Sequence, residues 1–239
     1  MDKLGYNQPM SGHILLAGGA EFGGRMAPAV QRAIDLAGGS GTAVRIIPAA
    51  AAPDDNHIHA GSNGVRWFKS LGARDVLSLA LTDRASADQP EIVSELRNAR
   101  LIYLLGGFPA HLYRSLAGSL SWQAILDAHQ DGAVIAGSSA GAMVMCGSFF
   151  DPRSGELLEG LNLLPDTCVL PHFKDFGRRW AETLRAELPQ AILLGLEEGT
   201  AMINDGEQGK WTVYGGGRLT LLRPDARRIF TPGESFELR

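Results

Sequence analysis

Short apolar runs alternate with longer stretches of helical period from residue 13 to about residue 147. Residues 13–17 (HILLA) read as a strand, the glycine-rich residues 18–24 as a loop, and residues 27–37 as a helix. Residues 44–47 form the next strand, residues 65–71 belong to the helix after it, and residues 76–81 and 92–96 repeat the alternation. Residues 101–105 predict a fourth strand that ends at Gly106-Gly107. Residues 110–116 and 122–129 have helical spacing, and residues 133–136 are the fifth strand. Strands interleaved with helices in this way predict an α/β fold, a parallel sheet with helices on both faces, whose functional loops gather at the carboxyl ends of the strands.

Beyond the helix that starts at Ala140 the pattern changes. Residues 148–151 and 156–158 flank the turn-forming Pro152-Arg153-Ser154-Gly155 and predict a hairpin. Residues 168–170 read as a strand ending at Pro171-His172, and residues 178–188 as a helix closed by Pro189. Residues 192–196, 201–203, 211–214 and 218–222 are short strands between glycine-rich turns, expected to form a C-terminal antiparallel extension of the same sheet. With 239 residues, of which 45% are hydrophobic, one domain spanning 1–239 is the expectation, with residues 1–11 as a flexible lead-in.

The candidate chemistry begins at Gly137-Ser138-Ser139-Ala140-Gly141, directly after the fifth strand. In G-x-S-x-G the serine sits on a sharp strand-to-helix turn, and small neighbours are needed because strand and helix approach closely there. A Gly/Ser-rich connection in any α/β protein has the same composition, so the motif carries weight only through its partners. A serine nucleophile needs a base, and of six histidines His172 is placed best, at the end of a strand. His13 begins a strand at the opposite edge, while His111 and His129 fall on helices. His57 and His59 form an H-x-H pair without an accompanying ligand cluster, so no metal is expected.

The carboxylate that would orient the base is expected between serine and histidine, at Asp151 in the hairpin, with Glu156 as the alternative. Backbone N–H groups of Gly107 and Ala140 are the candidate oxyanion donors, since one ends a neighbouring strand without a Cβ and the other opens a helix.

Charge and cysteine content narrow the classes. A net charge of −4 with both signs mixed along the chain gives neither a nucleic-acid nor a membrane-surface footprint. Cys146 and Cys168 lie in apolar surroundings without metal-ligand spacing and read as free core thiols of a reducing compartment. There is no long uncharged apolar stretch before Gly12 and no run of membrane-spanning length, and the expected setting is the cytoplasm.

Gly18-Gly19-Ala20-Glu21, Gly106-Gly107, the elbow through Ala142, Gly160-Leu161-Asn162-Leu163-Leu164-Pro165 and Pro171-His172-Phe173, taken in order, resemble the peptidase S51 family of peptidase E and cyanophycinase. The resemblance runs from about Gly12 to Asn204. It implies a flavodoxin-like fold similar to class I glutamine amidotransferases and a Ser/His/acid triad, with Ser139 as nucleophile and His172 as base. Its acid would lie between the two, which favours Asp151. Glu21 matches a recurring acidic residue after the first strand. Two departures bear on substrate. Phe108-Pro109 stands where family members carry a polar Asp or Asn, and Asp175-Phe176 where cyanophycinase has Gln-Arg. Candidate substrate contacts are therefore Glu21, Phe108, Lys174 and Arg178, the last two as cations for an acidic side chain.

These residues together imply a serine peptidase or dipeptidase acting on small or Asp-containing peptides, with no cofactor, no nucleic-acid or membrane partner, and a homodimer compatible with the pattern. An esterase of the α/β-hydrolase class would share the elbow, but the interval from Ser139 to His172 leaves no space for the strand–helix units that normally intervene. A noncatalytic amidotransferase-like ligand-binding domain would share the fold, but Gly18 to Gly24 fits no phosphate-binding fingerprint.

Overall fold

A computed structural model describes residues 12–238, so the lead-in expected at residues 1–11 lies outside the described residues. The strand–helix alternation is realised as β1 (His13–Ala17), α1 (Ala27–Leu36), β2 (Ala43–Ile47), α2 (His57–Ser70), β3 (Asp75–Ser78), α3 (Pro90–Arg97), β4 (Leu101–Leu104), α4 (Pro109–Leu116), α5 (Leu120–Gln130), β5 (Val134–Ser138) and α6 (Ala140–Val144). There follow β6 (Ser148–Asp151), β7 (Glu156–Glu159), β8 (Thr167–Leu170), a π-helical turn (Phe173–Gly177), α7 (Arg178–Glu187), β9 (Ile192–Leu196), β10 (Thr200–Ile203), β11 (Trp211–Gly215), β12 (Leu219–Leu222), β13 (Arg227–Phe230) and β14 (Ser235–Phe236).

The main sheet has the order β14-β11-β10-β1-β5-β4-β2-β3. Its β1-β5-β4-β2-β3 portion is parallel, and β10, β11 and β14 extend it antiparallel. Burial on both faces explains why these strands read as continuous apolar runs. Alternate residues separate into two cores: Ile14, Leu16, Ile102, Leu104 and Ile135 pack on one face, and Leu15, Ala17, Tyr103, Leu105, Val134 and Ala136 on the other. Both cysteines are free and buried, and burial pushes the Cys146 thiol up to about 11 and the Cys168 thiol up as well, as inert core thiols require.

The C-terminal strands do not all join the main sheet. β10 and β11 do, whereas β12 and β9 belong to a separate four-stranded sheet of order β13-β12-β9-β8, in which β8 and β9 run parallel. Pairing order cannot be read from the apolar pattern of strands this short, because both arrangements bury the same residues. The division matters for the site. β8 delivers the chain to His172 and β9 leads back to the main sheet at β10, so the second sheet is stitched to the carboxyl edge of the first. The expected hairpin forms as β6 and β7, with Asp151 opposite Glu156.

Glycines set how closely the central elements approach. A Cβ on Gly141 in α6 would sit 2.2 Å from the Leu104 carbonyl oxygen of β4, and one on Gly137 would sit 2.5 Å from the Gly141 carbonyl carbon. Gly141→Ala is expected to lower unfolding stability by about 1–3 kcal/mol through this overpacking, measured as a reduced urea midpoint. An unchanged midpoint would show that α6 can move off β4 without cost.

Candidate active site

The carboxyl ends of β1, β4 and β5 converge with the start of the segment after β8. Ser139 follows β5 with φ 48° and ψ −112°, a backbone conformation that a residue with a side chain adopts only under constraint. The constraint is visible on both sides. The Ser139 N–H donates to Ala17 O of β1 at 2.9 Å, and its carbonyl accepts from Met143 N–H at 2.9 Å as α6 begins. The turn leaves the hydroxyl 3.0 Å from His172 Nε2.

His172 is held as firmly. Its N–H donates to Gly18 O at 2.9 Å, and its own carbonyl accepts from Asp175 N–H at 2.9 Å, where the π-helical turn starts. The ring lies against Gly19, where a Cβ would stand 2.3 Å from His172 Cε1, and Gly19 itself has φ 131°. Glycine is therefore required there twice, for its conformation and for the imidazole.

On the far side of the ring, His172 Nδ1 lies 2.9 Å from Glu198 Oε1. A carboxylate accepts, so Nδ1 carries the proton and Nε2 is free to accept from Ser139 Oγ. Glu198 lies in the loop between β9 and β10, whose conformation is pinned by Gly199 N–H donating to Gly19 O at 3.1 Å and by Glu197 N–H donating to Arg218 O at 3.1 Å. Its side chain is 53% exposed, that of His172 30%.

The structure places Glu198 at Nδ1, where Asp151 or Glu156 was the expectation. Asp151, 7% exposed, sits in the hairpin and accepts from Ser154 N–H at 3.2 Å; Glu156 is exposed across the same hairpin. Asp151 faces a second cavity of about 200 Å³ with Phe108, Arg114 and Arg153, away from the imidazole. The hairpin serves that cavity, and the position at Nδ1 is filled from the loop that joins the two sheets. Acidic Glu197-Glu198 followed by Gly199-Thr200, between two apolar runs, was the signal in the chain, and it lies after the histidine.

The remaining candidates divide. Gly107 has φ 139°, and a Cβ on it would meet Ala50 O at 2.2 Å. It lies beyond the β4 ladder, between Leu105 N–H, which donates to Ile47 O, and Phe108 N–H, which donates to Ala50 O. Ala140 is the first residue of α6, so its N–H has no partner within the helix. Gly107 and Ser139 line one cavity of about 540 Å³ together with Glu21, Phe22, Gly106 and His172. Phe108 does not line it; its ring belongs to the second cavity, with the Arg153 guanidinium 4.4 Å above it. Lys174 and Arg178 are exposed on the π-helical turn and at the start of α7, outside the lining of either cavity.

Three of the other histidines have local partners. His13 Nδ1 lies 3.2 Å from Asn204 O at the far edge of the sheet, His111 Nε2 donates to Thr82 O at 2.7 Å, and His129 Nδ1 lies 3.0 Å from Ala133 O. His57 and His59 lie in the first turn of α2, and among the described residues no group of three or more His, Cys, Asp or Glu is placed to hold a metal ion. No helix among the described residues is long and apolar enough to cross a membrane.

A serine on a strained strand–helix turn, bonded to a histidine that is bonded in turn to a carboxylate, is the arrangement of a serine hydrolase. Comparison with known proteins gives the family: the model of Peptidase family S51 matches residues 14–212, and the chain belongs to this family of serine peptidases. Curated relatives include a cyanophycinase of Synechococcus elongatus, 29% identical over 229 residues that cover 90% of this chain and 70% of that one. A cyanophycinase of Geminocystis herdmanii is 27% identical, with 95% of this chain and 86% of that one covered. Among solved structures, a peptidase from an acI-B1 Actinobacterium superposes with a TM-score of 0.82 at 29% identity, covering 95% of this chain and 97% of that one. A putative peptidase E protein from Listeria monocytogenes shares the fold, with a TM-score of 0.61 at 19% identity over 90% of this chain and 99% of that one.

The strain at Ser139 has a measurable consequence. At φ 48° and ψ −112° alanine carries a steric cost that glycine does not, while both lack the hydroxyl, so Ser139→Gly is expected to be more stable than Ser139→Ala by about 1–2 kcal/mol in equilibrium unfolding. Equal stabilities would show that the turn relaxes once the hydroxyl is gone.

Proposed function

We propose that this chain hydrolyses small or Asp-containing peptides by acyl transfer through Ser139, His172 and Glu198. The observation that carries the reading is the continuous hydrogen-bonded chain Ser139 Oγ–His172 Nε2 at 3.0 Å and His172 Nδ1–Glu198 Oε1 at 2.9 Å. Ser139 Oγ attacks the scissile carbonyl as its proton passes to His172 Nε2. The carbonyl oxygen becomes an oxyanion and takes hydrogen bonds from the N–H groups of Gly107 and Ala140. His172 then gives the proton to the leaving amine, the C–N bond breaks, and an acyl ester on Ser139 remains. Water, deprotonated by His172, attacks that ester and releases the acid. Glu198 keeps the Nδ1 tautomer and stabilises the imidazolium formed in each half-reaction. These steps call on no metal or cofactor.

The substrate assignment stays with short peptides because the cavity over Ser139, lined by Phe22 and the residues around Gly19, has a volume of about 540 Å³. Cyanophycin is suggested by the names of the curated relatives, but Asp175-Phe176 replaces the Gln-Arg pair after the histidine. Cyanophycin is accordingly one member of a substrate panel and not the assigned substrate.

Ser139→Ala and His172→Ala are each expected to lower kcat on a cleaved dipeptide by about 10⁴–10⁶-fold. Glu198→Gln should lower it by about 10²–10⁴-fold, with the exposed position of Glu198 favouring the smaller loss. Asp151→Asn is expected to stay within a few-fold of the parent, roughly the range of a substitution that removes no catalytic contact. Steady-state kinetics on a panel of Asp-X, β-Asp-Arg and neutral dipeptides, with a simple ester as control, checks all four. Full activity in Glu198→Gln with loss in Asp151→Asn would reverse the acid assignment, and turnover confined to the ester would replace the peptidase reading.

A further inference from the structure

The triad leaves one carboxyl group over the active-site cavity without a task. Of the described residues lining that cavity, only Glu21 and His172 carry titratable side chains. Glu21 follows Ala20, itself at φ 53°, and the turn directs its carboxyl back over the end of β4. A Cβ placed on Gly106 would be 3.5 Å from Glu21 Oε2 and 3.3 Å from Ser139 Cβ. The carboxyl group and the nucleophile thus flank the same small gap.

Compensation for this carboxyl is incomplete. Among the described residues Glu21 forms no ion pair. The Gly106 N–H is directed at it, and the buried Ser138 hydroxyl lies near it without closing a well-formed hydrogen bond to any described residue. Burial raises its pKa, against smaller opposing effects from Ser138, Gly106 and His172. A carboxylate withdrawn from water and left without a cation is costly, and the cost is removed when a cation arrives. The side open to the cavity is the side from which substrate comes.

We infer that Glu21 is a specificity-determining residue that binds a cationic nitrogen of the substrate on the acyl side of the scissile bond. In an aminoacyl group the α-nitrogen lies about 2.5 Å from the carbonyl carbon, and a charge-assisted hydrogen bond spans about 2.8 Å. A free α-ammonium next to a carbonyl held by Ser139, Gly107 and Ala140 therefore comes within reach of a carboxylate flanking Ser139. A Lys or Arg side chain of the acyl residue supplies the same chemistry from a different source. The inference rests on Ser139 being the nucleophile.

Diphenyl aminoalkylphosphonates test it without requiring turnover. Ser139 Oγ bonds to phosphorus, phenoxide leaves and is protonated, and the rate is followed by intact mass. The probes are an alanine analogue with a free amine, its N-acetyl derivative, and an N-acetylated lysine analogue. In the wild type the free-amine alanine probe is expected to react at least about tenfold faster than its acetylated form, and in Glu21→Gln that ratio should fall to within about threefold. Glu21→Asp, which keeps the charge, should retain part of the preference. A fast reaction of the acetylated lysine probe, lost in Glu21→Gln, would assign the cation to the side chain and support the inference in that form. A wild type indifferent to all three charges, or a ratio that survives in Glu21→Gln, would overturn it. An alkyl fluorophosphonate separates the layers: modification of wild-type Ser139 without amine preference sinks this inference alone, and no modification sinks the serine reading with it.

Discussion

The seat of His172 on Gly18-Gly19 is the contact on which the site depends. Ser139 follows a strand of the main sheet and His172 a strand of the second, so neither sheet alone holds the serine–histidine pair. The join is made by His172 N–H donating to Gly18 O, by the ring lying where a Cβ of Gly19 would be, and by Gly199 N–H donating to Gly19 O. Three segments distant in sequence therefore meet at one glycine pair. Any side chain at Gly19 would push the imidazole off Ser139 and the Glu198 loop off the imidazole together.

Burial is distributed unevenly around this join. Ser139 and the glycines that frame it are locked between β4, β5 and α6, so the nucleophile is placed by close packing. Glu198 is more than half exposed, placed by backbone hydrogen bonds of its loop, with a charge that water screens. Its contact with Nδ1 fits the tautomer that leaves Nε2 able to accept. Glu21 is in the opposite situation, poorly solvated and near the reacting atoms, where a charge acts strongly.

Much of this was legible in the chain. Doubly buried parallel strands read as apolar runs, so the expected β1, β2 and β4 match to within one residue and β5 extends two residues further into the elbow, whose glycines answer a steric requirement with few solutions. His172 was found because strand ends in a parallel sheet point to one edge. Glu198 was not, because a carboxylate at Nδ1 needs only proximity in space, and proximity here is created by the turn from β9 into β10. Asp151 had a sequence position that looked right but belongs to a hairpin that faces another cavity. Phe108 follows the same logic: Gly106 faces Ser139, where a Cβ would stand 3.3 Å from Ser139 Cβ, whereas Phe108 lines the second cavity.

Glu21 shows a further limit of local pattern. An acidic residue in a glycine-rich loop after a strand is ordinarily solvated, and nothing in Gly18-Gly19-Ala20-Glu21 signals that the loop will fold back over β4. It folds back because Gly19 and Ala20 both have positive φ, and Gly19 does so to admit His172. The conformation that seats the base is thus the one that carries a carboxyl group into the substrate cavity. Placement of the His172 ring and of the Glu21 carboxyl are consequences of one turn, and a change in either cannot be made independently of the other.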